Sequence, residues 1–498
     1  MKKTKFLLLL LCFCMILPLL VACEKGGDDS TDTGEKYKYD DLTRETARDS
    51  IPDDYSLEGG TVSIAYRGNA DGAIGKSVIG LKESTDIVYS KIYERNLSVS
   101  ERLHADIQFL SIDTSDIPST VDAIRREIQT MSGVWDVIIP SCNTSVGSLY
   151  NYFHNINDSN YIDINERWWY TDAINELSVD NYNYRFLFGD INICTYGLAG
   201  SIFYNKNLYS QYIEHEKPDA LYQLVLDGKW TFEQLATITK KSHIEKGGDG
   251  SNDIYGYSPV NYQDVFWLKE AAGFKGYERD EMGMPKFNLY SDKAASFAEM
   301  LYDFYYENEG VNLTRDAIEC FANGYSMFHL RNLNQLLEDY MRNMKDDFGV
   351  LPYPKLDEEQ EEYITMIHDS STVVVFPVSA DIDRVNEEVS AVVEALASES
   401  YRSVYTAYYE SALKAAYNRD DLSAQMIDII TGQHATVKSS ITKNFVHEFN
   451  SSLGEYDSVF YKLVTARSKD FASTHDSIIS VAEQGLKALI KNYKDGKI

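Results

Sequence analysis

Cysteine is scarce, with six in 498 residues. Cys12, Cys14 and Cys23 fall at the start, which leaves Cys142, Cys194 and Cys320 for the body of the chain. An odd set permits at most one disulfide, so buried free thiols are the default expectation. The absence of any C-x-x-C pair excludes a zinc site of that type. The nine histidines form no H-E-x-x-H, and no G-x-S-x-G elbow occurs. Positive charge is also short: 47 Lys and Arg against 77 Asp and Glu give a net charge of -30. Such an acidic chain repels nucleic acid and anionic lipid, so neither is expected as a partner, and the charge serves solubility.

Two cofactor signatures fail on inspection. Residues 70–77 approach G-x-x-x-x-G-K-S after a β-rich run, but Ala70 stands where the first glycine belongs. Asp249, Ser251 and Asp253 begin like a calcium loop, yet Ile254 replaces its glycine and Val260 its closing glutamate. No cofactor and no metal are expected. Acidic pairs such as Glu358-Glu359 and Glu361-Glu362 sit in a charge-dense stretch that reads as a solvated face.

What the chain does have begins at its N-terminus. Lys2, Lys3 and Lys5 precede an unbroken apolar run from Phe6 to Ala22. This is the charge and hydropathy pattern of an export signal. Leu20-Val21-Ala22-Cys23 resembles the lipobox of bacterial lipoproteins, which implies cleavage before Cys23, lipidation (palmitate among the acyl chains) and anchoring on the extracytoplasmic face of the cell membrane. A plain transmembrane anchor would need the same apolar length, but a cysteine in that position followed by a polar segment argues against it. From Glu24 to about Glu58 the chain is rich in Asp, Gly, Ser, Thr and Lys, a composition that buries too little apolar surface to offset its ordering entropy. It is expected to be a flexible tether.

Beyond it, patterning alternates between strand and helix. Thr61 to Tyr66 is a β-rich run, Val88, Ile92, Val99 and Leu103 recur at helical spacing, and Ile107 to Ile112 is a second strand. Val121, Ile124, Ile128 and Met131 mark a second helix, and Val134 to Pro140 a third strand. This order predicts parallel pairing with helices on both faces, and ligands beyond the carboxyl ends of the strands. Arg67 and Asn69 then lie at the first strand end, and Asn143 just past the third.

Further stretches occur in an order that resembles extracellular solute-binding proteins of the maltose-binding, carbohydrate-uptake type. They are Tyr161-Ile162-Asp163, Trp168-Trp169, Gly189-Asp190, Phe203 to Lys206, Leu224 to Thr231, and Phe348 to Pro354. Tyr408 to Lys414 and Asp420-Asp421 match the family's late helices. Thr231 with Gln234 three residues on forms a capping box. The resemblance covers most of residues 59–498. It implies a two-lobed α/β body of the periplasmic-binding-protein type (type II), with a hinge and a ligand cleft between the lobes. Expected boundaries are 1–22 for the signal, 23–58 for lipidated Cys23 and tether, 59–203 with 348–400 for the N-terminal lobe, and 204–347 with 401–498 for the C-terminal lobe. The chain would cross between lobes near Tyr204, Val350 and residue 400.

The resemblance also implies a monomeric carrier, not an enzyme, that captures a mono- or oligosaccharide and delivers it to the transmembrane subunits of an ABC importer. Sugars present apolar C–H faces and polar edges, which aromatic rings and planar polar groups recognise. With 37 Tyr and 5 Trp the chain supplies platforms, of which Trp168, Trp169, Trp230, Tyr257, Trp267 and Tyr353 are the candidates. Trp168-Trp169 stands out because adjacent residues in an extended segment point oppositely, so one ring is expected to be exposed. Candidate edge contacts are Arg67, Asn69, Asn143, Asp190, Asn192 and Arg331. Two other classes fit parts of the pattern: a mainly helical surface glycan-binding lipoprotein, and a secreted glycan-degrading enzyme with two carboxylates facing across a cleft.

Overall fold

The computed structural model describes residues 44–114, 116–215, 217–408, 421–433 and 436–495. The export signal, Cys23, tether residues 24–43, and residues 409–414 and Asp420 of the late-helix likeness lie outside the described residues.

The first lobe follows the alternation read from the sequence. β1 (Thr61–Arg67) is followed by α1 (Ala73–Ile79) and α2 (Ile87–Arg102), then β2 (Asp106–Ile112), α3 (Ile117–Gln129) and β3 (Val137–Ile139). The sheet order is β2-β1-β3, with both pairings parallel and Ala65 opposite Leu110 and Ile138. Asp86 and Asp116 cap α2 and α3 by accepting from Val88 N and Ser119 N, each such cap contributing about 1 kcal/mol. α4 (Cys142–Leu149) starts directly beyond β3.

The second lobe is built on β4 (Gly200–Asn205). α5 (Phe232–Lys241), β5 (Tyr255–Tyr257), α6 (Asp264–Ala271), the hairpin β6 (Tyr277–Arg279) and β7 (Pro285–Phe287), β8 (Ser326–Asn332) and β9 (Phe348–Leu351) follow. The sheet order is β5-β8-β4-β9, with β4 antiparallel to β8 and β9, and β5 parallel to β8. Thr231 caps α5, accepting from Gln234 N.

Two crossings differ from expectation. Tyr204 and Val350 both lie inside the second sheet, where Phe203 pairs with Val350. The apolar run Phe348–Leu351 takes the open edge of β4 instead of leaving the lobe. The chain returns only after β10 (Tyr363–Met366), at residues 367–371, and Ala199 bridges Ile367 where the two crossings meet. The return strand is Val373-Val374-Val375-Phe376, wholly buried, whose bridges Ile138↔Val375 and Leu187↔Val374 join it to the first lobe. Residues 348–366 therefore belong with the second sheet. α7 (Ser390–Glu399) and the turns that continue it to residue 407 pack on α2 of the first lobe, so the third crossing falls after residue 400. α8 (Asp421–Ile430), β11 (Ser439–Thr442, parallel to β10), α9 (Phe445–Glu448) and α10 (Phe471–Asp495) complete the second lobe.

Residues 44–58, which composition assigned to a tether, depart from that expectation. They lie on the body, with Ala47 and Ile51 buried in the core and Asp49 ion-paired to Arg102 at 2.6 Å. Local polarity hid two apolar anchors spaced one helical turn apart. Away from the crossings, Arg279 joins the lobes by donating to the carbonyls of Asn175, Ser178 and Val179, and Lys275 pairs with Glu176 at 2.6 Å. Cys142 and Cys320 are free and buried, and burial pushes the Cys142 thiol up to about 12. The side chain of Cys194 lies outside those described. Among the described residues, no helix is long and apolar enough to cross a membrane.

Candidate functional site

Between the lobes lies a cleft of about 370 Å³. The first lobe contributes Asn143, near the start of α4. Its backbone N–H donates to Asp369 O at 3.0 Å, and its side-chain oxygen accepts from Ser141 Oγ at 2.8 Å. Arg67, at the carboxyl end of β1, donates to Ser141 Oγ at 2.8 Å and so sets this chain of contacts from behind.

The second lobe contributes the aromatic wall. Phe266 and Trp267 are consecutive on α6 and both line the cleft. Trp267 stacks on Tyr353 with ring centroids 6.0 Å apart and tilts against His368 at 5.7 Å. Gly200 makes room for it, since a Cβ there would lie 2.6 Å from Trp267 Cδ1. Phe266 stacks on Tyr461 at 5.5 Å and meets His447 edge-on at 5.3 Å. Each platform therefore has a second ring fixing its plane.

The charged floor comes from the 367–371 crossing and from α9. His368 Nδ1 lies 3.0 Å from Asp369 Oδ1, and His447 Nε2 lies 4.0 Å from Asp369 Oδ2. Burial works to raise the Asp369 carboxyl, but the hydrogen bond and charge of His368, with His447 and Lys443, outweigh it and hold the group well below the usual carboxylate range. His447 Nδ1 bonds Asp457 at 2.7 Å, and Asp457 also takes Lys269 at 2.5 Å. Burial opposes the imidazolium, but the Asp457 hydrogen bond prevails and raises His447. With Nδ1 committed to Asp457, Nε2 faces the cleft side. Lys443, fully buried, donates to Ile367 O, His368 O and Glu448 Oε1. Glu448 Oε2 is buried with no partner, as are Trp267 Nε1, Asp264 Oδ1 and Arg331 Nε. Of these, Trp267 and Glu448 line the cleft, and because a buried polar atom left unpaired costs about 1–3 kcal/mol, these two edges favour a guest rich in hydroxyl groups. Among the described residues, no cluster of three His, Cys, Asp or Glu is arranged to hold a metal ion.

Of the residues singled out in the sequence, Asn143 and Trp267 line this cleft, with Arg67 and Tyr353 directly behind them. Tyr257, Arg331 and Tyr353 lie at or just past the carboxyl ends of β5, β8 and β9, which run the same way. Tyr257 is nevertheless turned inward, donating to Asp264 at 2.7 Å. Asn69 is exposed in the turn after β1. The others are core groups. Trp168 and Trp169 are both buried because the turn closing Trp169 N to Glu166 O breaks the extended alternation, and both indoles donate to Glu394. Trp230 is buried and donates to Pro352 O at 2.9 Å. Asp190 accepts from the hydroxyls of Tyr170 and Tyr196, and Asn192 donates to Thr372 O at 3.1 Å. Sequence reasoning missed Phe266, His368, Asp369, His447 and Glu448. The one signal for them is the polar run His368 to Ser371 set between two apolar runs.

No family model matches the chain, and no curated protein matches it in sequence. Solved structures do. The maltose/maltodextrin-binding domain MalE from Bdellovibrio bacteriovorus, bound to maltotriose, superposes with a TM-score of 0.51 at 12% identity, over 86% of this chain and 100% of that one. UgpB from Mycobacterium tuberculosis, in complex with glycerophosphocholine, gives 0.50 at 11% identity, over 80% and 96%. The fold is that of the two-lobed solute-binding proteins. At these identities the likeness is one of architecture.

Proposed function

We propose that the protein captures a small polyhydroxy solute, a mono- or oligosaccharide or a polyol, outside the cytoplasm and hands it to the transmembrane subunits of an ABC importer. It acts as a carrier, not an enzyme, and the lipidated Cys23 holds it at the membrane. The observation that carries this reading is the pairing of two braced aromatic rings, Phe266 and Trp267, with polar edges from both lobes in one cleft. Asn143, Asp369, Glu448 and His447 are the groups we assign to the ligand's hydroxyls. The neighbours' ligands are polar small molecules, maltotriose in one and glycerophosphocholine in the other.

The test is thermal unfolding of the chain without residues 1–22, carrying Cys23→Ser, against a panel of sugars and polyols. A ligand bound only by the folded state stabilises it by about 2.7 kcal/mol at a hundredfold excess over Kd. A shift with one class and no product formed supports the carrier. Disappearance of a panel member would make the protein an enzyme, and no shift at all would remove the polyhydroxy assignment.

A further inference from the structure

The residues that composition assigned to a loose tether reach an unexpected place. Arg44 lies between two tyrosine rings of the segment that leads into the third crossing, its guanidinium carbon 3.9 Å from the centroid of Tyr401 and 3.7 Å from that of Tyr405. A guanidinium sandwiched in this way keeps its charge while losing water on both faces, so cation–π attraction is at its stronger end. The same group donates to Tyr401 O at 3.3 Å and lies 3.7 Å from Asp190, a buried first-lobe carboxylate. Its other nitrogen donates to Gln433 Oε1 at 2.6 Å. Gln433 directly follows α8, whose packing is against β9, β10 and β11 of the second lobe. Tyr405 OH donates to the same Gln433 oxygen at 3.0 Å. One side chain therefore touches the first lobe, the crossing segment and the second lobe.

The segment behind it is fastened too. Ala47 and Ile51 are buried, Arg402 donates to Ala47 O at 3.1 Å, and Asp49 binds Arg102 and Ser398. These contacts all go to the first lobe and the crossing segment. Gln433 is the point where the strap reaches the second lobe.

We propose that residues 44–51 form a strap across the turns that carry Tyr401 and Tyr405, with Arg44 as a pin that couples both lobes and weights the balance between their closed and open arrangements. Among the described contacts, the strap is anchored on one side by apolar burial and an ion pair, and on the other by the Arg44–Gln433 bond. Rotation of the second lobe about the crossings must break or lengthen the Arg44–Gln433 bond while leaving the stacked tyrosines in place. A two-state hinge responds to contacts that exist in only one of its states, and the Arg44–Gln433 bond would act as such a contact.

The test is small-angle X-ray scattering of the ligand-free mature chain with Cys23→Ser, alongside thermal melting. Gln433→Ala removes the second-lobe contacts of Arg44 and Tyr405 while leaving the guanidinium stacked, and is expected to melt close to the parent while giving a larger radius of gyration. Arg44→Ala removes the whole pin and is expected to enlarge the molecule further, with Arg44→Lys in between because it keeps the charge without the planar stack. Unchanged scattering in Gln433→Ala and Arg44→Ala would overturn the proposal, whether or not the melting point falls. If Arg44→Ala fails to fold, Gln433→Ala decides alone. The result does not depend on which solute the cleft takes.

Discussion

Trp168 and Trp169, adjacent in the chain, donate to opposite oxygens of a single buried carboxylate, Glu394, at 2.9 and 2.8 Å. No cation pairs with that group in these contacts. Burial raises its pKa well above the usual carboxylate range, with the two indole hydrogen bonds working against the rise. Glu394→Ala leaves two indole N–H groups unpaired at about 1–3 kcal/mol each, so a loss of about 2–6 kcal/mol is expected in urea unfolding. The sign with pH follows from proton counts. Above about pH 4.5, the ordinary value, the unfolded glutamate has lost its proton while the folded one still holds it. This group's contribution is thus complete below that pH and declines as pH rises, and Glu394→Gln should flatten the decline.

The Asp457 pair behaves in the opposite sense. Burial works to raise Asp457, but the charge of Lys269 and the His447 bond outweigh it and hold it at about 2. Its stabilising contribution is present above about pH 3.8 and is lost as pH falls toward 2. Asp457→Asn removes the shorter of the two ion pairs of the buried Lys269 and leaves it Glu270 at 3.3 Å, at a cost below the about 3–5 kcal/mol of a fully stranded charge. It also releases His447, whose pKa, followed by proton NMR, should drop. A His447 titration that does not move would mean that Asp457 does not set it.

These side-chain roles were the least legible part of the sequence, while the first-lobe sheet was the most. Thr61–Arg67, Asp106–Ile112 and the helix between them announce themselves by period, because one face of each must be buried. The Trp168-Trp169 reading failed because alternation was assumed across what is a turn. Asp369, on a crossing, showed only as part of the polar run His368 to Ser371, and His447 and Glu448 left no pattern, since they sit on a one-turn helix where no periodic face exists. The crossing itself was misplaced because Phe348–Leu351 and Val373–Phe376 are both short apolar runs. Which run pairs with which sheet is decided by the open edges of β4 and β3, not by either run's composition.

Two tryptophans should separate binding from folding. Trp230 is wholly buried on Phe328 and away from the cleft, so Trp230→Phe is expected to lower stability, through the lost Pro352 bond, without changing sugar affinity. Trp267→Ala removes a platform, and its Kd for the best panel ligand, by calorimetry, should weaken at least about tenfold, or 1.4 kcal/mol. Equal affinities in parent and Trp267→Ala would move the ligand elsewhere.

Gly200→Ala places a methyl group against the Trp267 indole and against nothing flexible. Overpacking of this kind costs about 1–3 kcal/mol. Near-UV circular dichroism should report the displaced indole, and ligand affinity should fall together with that signal.

The late return of residues 373–376 also sets an order of assembly. β3 offers its open edge from the moment residues 137–139 emerge, yet the strand that covers it arrives only after the whole of the second-lobe sheet has been made. The sheet that begins at Gly200 finds all its partners by Leu351 and can close on its own. A chain delivered from its N-terminus therefore finishes its second sheet before its first. Until Val375 reaches Ile138, the first-lobe sheet carries an unpaired, wholly apolar edge of the sort that folding helpers would have to shield.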